Sequence, residues 1–543
     1  MTGVRARVAG GRVGTAAVAV GLALVLAACS GSNNSSTDTD AAVLEHTSGE
    51  ALAAMVKTDG APTEPTGTLR IGSWISNGSF DPVALTVIQG QNLHAAYDPL
   101  FQINDRYEPL PWLVSKWEEP TPTSSRLTLR EDVVFHDGTP FDAEAVKVNL
   151  ERAAATTTSP NANMYASIDS VTVESEFVAL VEFERPYPDF YYNMATPAGM
   201  MVSPAAIAQG KDLSREPAGS GGWLWRGDEF AEGSKQVYTA NPGYWNRDAV
   251  KVSRVEINIY TDPAARLNAY TSGQIDMITY VPDANKTLVE TQGSRVFSDL
   301  SIATTVVILD RAGTVVPAFG DQRVREAIGL LIDRDGFNVA VLGRSGYPAG
   351  GFSSPATPWY DESLNQRALD IERAKGLLTE AGYPDGFSFQ FPSTTSIAPA
   401  VVAVQQMLAA GGITMNIVDL PPSEYTAAQR KGEYPASYLI PTAVDIDQWW
   451  TRTVSNNGPL NPFKLTDLED LEKRYVDSLA LPTAERAPIL KELQAEVINR
   501  GVIFPLSLRS RIAAAKEQVV ATQQPVLAPE DWALRPHYLW LTQ

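Results

Sequence analysis

Asp445, Asp447, Trp449 and Trp450 stand together in one short stretch of the chain. Carboxylates hold cations or accept hydrogen bonds from hydroxyls, and indole faces stack on flat or apolar ligand surfaces. The cluster therefore reads as one wall of a binding cleft. The same four residues also satisfy a capped helix start with two core tryptophans, and both readings stay open. No catalytic set accompanies them. There is no G-x-S-x-G elbow, no phosphate-binding glycine loop and no G-x-G-x-x-G after a strand. His46, His94, His136 and His537 are far apart, and no ligand spacing for zinc or calcium occurs. Neither a cofactor nor a protein-built metal site is expected.

The elements that must position such a cluster alternate between helix and strand. Asp142 can cap a helix with Val146, Leu150 and Ala153 facing inward. Asp321 can cap another, with Val324, Ile328, Leu331 and Ile332 on one face. Asp370 opens a third through Ala374, Leu377 and Leu378, which Gly382 and Pro384 stop. Val255, Ile257 and Ile259 alternate with polar residues as in a strand, and residues 387–391 form a second. A first strand is expected through Leu69, Ile71 and Ser73. No internal repeat is evident. This order over 543 residues predicts two or more α/β lobes, because one core usually serves about 50–200 residues.

The N-terminus is basic (Arg5, Arg7, Arg12), then apolar to Leu26-Ala27-Ala28-Cys29. That profile is a secretory signal, too short for a membrane-spanning helix of roughly 20 apolar residues. Cys29 is the only cysteine in the chain. The stretch resembles the lipobox of bacterial lipoproteins, in which the cysteine becomes the lipidated first residue. An ordinary signal peptide that happens to contain a cysteine is the alternative. Residues 1–28 are assigned to the signal and 29–67 to a flexible tether, with a short helix within 41–57. Composition is globular, 44% apolar and 20% charged, and the net charge is −20. So acidic a chain has little electrostatic reason to bind nucleic acid. An anionic membrane surface repels it, which suits attachment through a tether.

Several motifs resemble the solute-binding proteins of ATP-binding-cassette importers, family 5, the peptide and nickel group. Phe135-His136-Asp137-Gly138-Thr139-Pro140-Phe141, with Asp142 capping the next helix, matches the family's F-H-D-G-T-P-F. Asn241-Pro242-Gly243-Tyr244-Trp245, Ser272-Gly273-Gln274-Ile275-Asp276, Asp321-Gln322-Arg323-Val324-Arg325 and Ala381-Gly382-Tyr383-Pro384-Asp385-Gly386-Phe387 follow in the family's order. Gly219-Ser220-Gly221-Gly222-Trp223 stands where the family reads G-T-G-P-Y.

The resemblance implies an α/β, two-lobed periplasmic-binding-protein fold of type II, with an extra subdomain in the first lobe. The first lobe would be residues 68–300 with the insert near 100–196, the second 301–504, and 505–543 would return to the first. Ligand would sit between the lobes of a monomer that closes and docks on a membrane permease, with ATPase subunits separate. Trp74, Asn77 and Phe80 follow the first strand, where the family's loop often lines the cleft. Peptide binders of the family carry an aspartate that pairs with the ligand ammonium. Thr442 stands there instead, so either Asp445 takes over or the ligand lacks a free amino terminus. Short peptides lead as cargo, with oligosaccharides, opine-like conjugates and metal chelates behind. The alternative class is a lipid-anchored extracellular hydrolase, against which no catalytic residue is assigned.

Overall fold

Leu69 and Ile71 alternate with Arg70, and burying them makes Thr68–Ser73 a strand. The structure is a computed structural model. It describes residues 60–104, 107–442, 444, 446–456, 458–521, 535–537 and 539–542, and the backbone of Leu44–Thr47. Cys29 and the segment before it lie outside the described residues.

Thr68–Ser73 pairs in parallel with Arg254–Ile259 and Met277–Ile278, in the centre of a nine-stranded sheet. Lys235–Ala240 and Trp223–Trp225 extend one side. On the other side lie Ile503–Ala515, Arg295–Ile308 and Ala436–Leu439, and Tyr347–Pro348 pairs with Ile503–Ala515.

Arg295–Ile308 and Ile503–Ala515 are the elements that join the two halves. They run antiparallel from Arg295 opposite Ala515 to Val307 opposite Ile503. Strands of 14 and 13 residues reach about 45 Å at roughly 3.3 Å per residue, so one pair touches both lobes. Near one end, Ala513 and Ala515 pack in the first core with Leu69, Val255 and Ile257. At the other end, successive side chains enter different layers. Val306, Ile308 and Phe504 pack against helices Gln322–Leu330, Ile371–Glu380 and Ala398–Ala409. Val307 and Ile503 pack with Leu471, Leu490 and Val497 of helices Glu469–Ser478 and Thr483–Asn499. The pairing shifts register between Asp299 and Ile302 and again between Thr304 and Thr305, places where a strand pair bends and twists more readily.

The subdomain within the first lobe is a second sheet of five strands, in the order Leu44–Thr47, Val114–Thr121, Ser124–Leu129, Val178–Phe183, Ile168–Ser175. Helix Ala143–Ala155 covers it. Its cap is the expected one: Asp142 accepts from the Ala145 amide at 2.8 Å. The turn before it closes through the Phe135 amide on the Thr139 carbonyl at 2.8 Å, with Gly138 at φ 88°. His136 is structural, its Nε2 lying 2.8 Å from the Gly221 carbonyl. A Cβ on Gly219 would come within 2.1 Å of the Ala96 carbonyl oxygen, which explains a glycine there whatever follows it.

Two expectations change. Within 41–57, where a short helix is expected, Leu44–Thr47 is a strand antiparallel to Val114–Thr121, and the rest of that segment lies outside the described residues. A sheet edge offers unpaired backbone groups to any adjacent segment, and that edge lies in another part of the chain. Order also begins before Thr68: the Thr66 amide donates to the Lys251 carbonyl at 3.0 Å and Ser253 Oγ to the Pro65 carbonyl at 2.7 Å. In the Asp321-capped helix, Leu331 and Ile332 fall just past the end but remain buried.

Candidate functional site

A cavity of about 730 Å³ lies between the five-stranded subdomain and the second lobe, within the usual range of roughly 300–1,000 Å³ for small-ligand sites. One wall comes from the subdomain. Tyr107 and Glu108 stand on a turn that Asn104 holds from both sides, accepting the Glu108 amide at 2.9 Å and donating to the Glu108 carboxylate at 2.7 Å. Tyr107 adopts φ 62°, a left-handed conformation, and lines the cavity. Tyr187, Tyr191 and Tyr192 come from the segment around the short helix Phe190–Asn193. The Tyr191 hydroxyl lies 2.9 Å from Ser125 Oγ, and burial holds its pKa well above the ordinary phenol value.

The opposite wall comes from the second lobe: Trp359, Val444, Asp447, and the turn between helices Glu469–Ser478 and Thr483–Asn499 with Arg486. Arg486 Nη1 donates to Asp447 Oδ2 at 2.7 Å and Nη2 donates to Oδ1. Side-chain exposures of 6% and 5% make this a buried ion pair. Burial alone would raise the Asp447 pKa, but the guanidinium charge and its two hydrogen bonds outweigh it, and the net direction is down. Arg486 moves the other way: burial lowers its pKa and Asp447 more than restores it. Asp189, from the subdomain, is near enough for its charge to act on Arg486. One carboxylate from each wall thus approaches a single guanidinium.

The described residues among those singled out from sequence separate into four places. Asp447 lines the cavity. Trp449 and Trp450 sit in the second lobe's core, 3% and 1% exposed. Trp449 stacks on Phe352 at 4.5 Å, and Trp450 stacks on Tyr475 at 4.8 Å while donating to Glu472 at 2.8 Å. In this conformation both tryptophans are core residues. Asp445 lies outside the described residues. Thr442 forms a bridge with Ile302 on the long strand, its hydroxyl 3.4 Å from the Ser301 carbonyl.

The loop after the first strand lies on the first-lobe side. Trp74 packs on Tyr280 at 5.3 Å. Asn77 accepts from Gln236 and donates to the Ser79 carbonyl. Phe80 is core, 2% exposed and edge-on to Trp225 at 4.6 Å. Trp74, Asn77 and Phe80 do not line the described cavity. Sequence reasoning missed Glu108, Glu119, Asp189, Trp359 and Arg486. The run Tyr187-Pro188-Asp189-Phe190-Tyr191-Tyr192 has the same acid-and-aromatic character as 445–450 and could have been found by it. Arg486 leaves no such trace.

The family model for bacterial extracellular solute-binding proteins, family 5 (middle), matches residues 108–464. The chain belongs to this family. Glutathione-binding protein GsiB of Salmonella paratyphi A is 28% identical over 410 residues, covering 72% of this chain and 78% of its own length. Two solved structures share the fold. AgaA from A. tumefaciens R10, in complex with agropinic acid, superposes with TM-score 0.72 at 21% identity, over 88% of this chain and 99% of its own. NikA from Brucella suis, in complex with Fe(III)-EDTA, gives 0.75 at 21% identity, over 88% and 100%. The α/β, two-lobed architecture is that of this family. Among the described residues, no group of three or more His, Cys, Asp or Glu side chains could hold a metal ion. No helix among them is long and apolar enough to cross a membrane.

Proposed function

We propose that this family 5 solute-binding protein captures short peptides between its lobes and delivers them to a membrane permease driven by separate ATPase subunits. The observation that carries the reading is the cavity at the seam, walled by the subdomain on one side and the second lobe on the other. A ligand there gains contacts with both walls only when the lobes are together, which is the differential affinity that closure requires. The long strand pair is the element able to bend between them. Trp359 lines the cavity and can offer a ring face to a flat or apolar part of the ligand. GsiB relatives that bind glutathione, itself a tripeptide, support the same size class. The role is transport, with no catalytic step, and the protein acts as a monomer. Residues 68–300, 301–504 and 505–543 serve as the first lobe, the second lobe and its return.

We further infer export and anchoring through a lipid on Cys29. Replacement by Ser should move the protein from the membrane fraction to the medium or the periplasm; unchanged partition would sink the anchor. For the cargo, gently purified protein examined by native mass spectrometry should retain a ladder of peptide masses. A single sugar or metal-chelate mass would overturn the peptide reading.

A further inference from the structure

The cavity wall is acidic and aromatic, and that combination bears on the charge of the cargo. Glu108, Glu119, Asp189 and Asp447 line it against one guanidinium, that of Arg486. Arg486 is already engaged, with both terminal nitrogens donating to Asp447. It therefore offers little to a ligand carboxylate.

The rings that share this wall favour the same ligand. Tyr107, Trp117, Tyr187, Tyr191, Tyr192 and Trp359 border the cavity, and Glu119 lines the same wall. Aromatic faces attract ammonium and guanidinium groups, the more so as the site becomes drier. Carboxylates beside such faces add a charge partner, and low local dielectric strengthens it. An anion entering the same space meets like charge and no uncommitted lining cation among the described residues.

We propose that this cavity selects cationic cargo: a short peptide whose lysine or arginine side chain lies among the tyrosines, with Glu108 and Glu119 as charge partners. The proposal rests on the reading of this cavity as the cargo site. It departs from what the relatives' ligands suggest, since glutathione carries two carboxylates and one ammonium.

The test is calorimetric titration of the full chain with trilysine, trialanine and triglutamate at low salt. Trilysine should bind about tenfold or more tighter than trialanine, and the gap should shrink as salt is raised. Glu119→Gln and, separately, Glu108→Gln should each weaken trilysine by about three- to tenfold and leave trialanine within about twofold. Two variants are used so that a folding defect in one leaves the other to decide. Trialanine or triglutamate binding as tightly as trilysine would overturn the charge selection and leave the peptide reading standing. A trilysine preference untouched by both variants would overturn it too. Binding by none of the three would overturn both readings together.

Discussion

Two aspartates, one in each lobe, are both buried, and their pKa values move in opposite directions. Asp98 is wholly enclosed in the first lobe. It accepts from Trp112 Nε1 at 2.9 Å, Tyr244 Oη at 2.8 Å, Ser220 Oγ at 2.9 Å and Trp245 Nε1 at 3.4 Å. All four donors are neutral. Burial dominates, the donors offset it only in part, and the pKa is raised. Asp447 is buried in the second lobe, but its donors belong to a guanidinium, and its pKa falls. Neutral hydrogen bonds replace water's dipoles, whereas a formal charge also supplies the Coulomb energy that desolvation removes. The difference suits their places. Asp98 ties together strands and turns from distant parts of the first lobe. Asp447 stands at the seam, where Asp189 of the other wall approaches the same guanidinium.

The largest expected effect is on the ionic side of that comparison. Arg486→Leu strands a buried carboxylate and should cost about 3–5 kcal/mol, read as a large fall in Tm. Adding Asp447→Asn to it should recover part of the loss; a double variant no better than the single would mean that Arg486 acts through packing alone. Asp98→Ala comes next. It leaves enclosed donors without an acceptor, at about 1–3 kcal/mol for each one that finds no water, and thermal unfolding of that variant measures it.

The pH dependence sharpens the contrast, because the two signs differ. The Asp447 pKa is depressed in the folded state, so its stabilisation is present above the ordinary carboxylate range and is lost as pH falls through the folded pKa. The Asp98 pKa is raised, so its contribution is complete below the unfolded pKa and is lost as pH rises through the folded one. Against Asp447→Asn, the parent's advantage in Tm should grow as pH rises from the acid side; against Asp98→Asn it should shrink. Slopes of the same sign would break the comparison. The smallest effect belongs to an exposed pair. Lys473 meets Asp477 at 2.6 Å with both side chains mostly in solvent, and Lys473→Ala should change stability by no more than about 0.5 kcal/mol.

Local features were legible before the structure. Asp142 and Asp370 cap the helices their spacing announces, and the turn from Phe135 to Phe141 closes as its Asp-Gly and Pro suggest. Asp447 was found by its neighbours, yet what it does depends on Arg486, 39 residues away. The acid-and-aromatic stretch around it was legible only as two alternatives. Asp447 faces the cavity, while Trp449 and Trp450 find Phe352 and Tyr475 in the core. Leu44–Thr47 was misread because an edge strand takes its conformation from the neighbour it joins.

Sequence by itself determined the family, the alternation of helix and strand, the caps and turns, and the acidity of the whole chain. Each depends on residues a few positions apart, where hydrogen bonds and periodicity act within one segment. Only the tertiary structure decided which acids share a wall, which tryptophans are core, and that one strand pair carries both lobes. Those outcomes depend on side chains tens to hundreds of residues apart meeting in space, and on burial, which raises the pKa of the carboxylate at Asp98 but is outweighed by a guanidinium at Asp447.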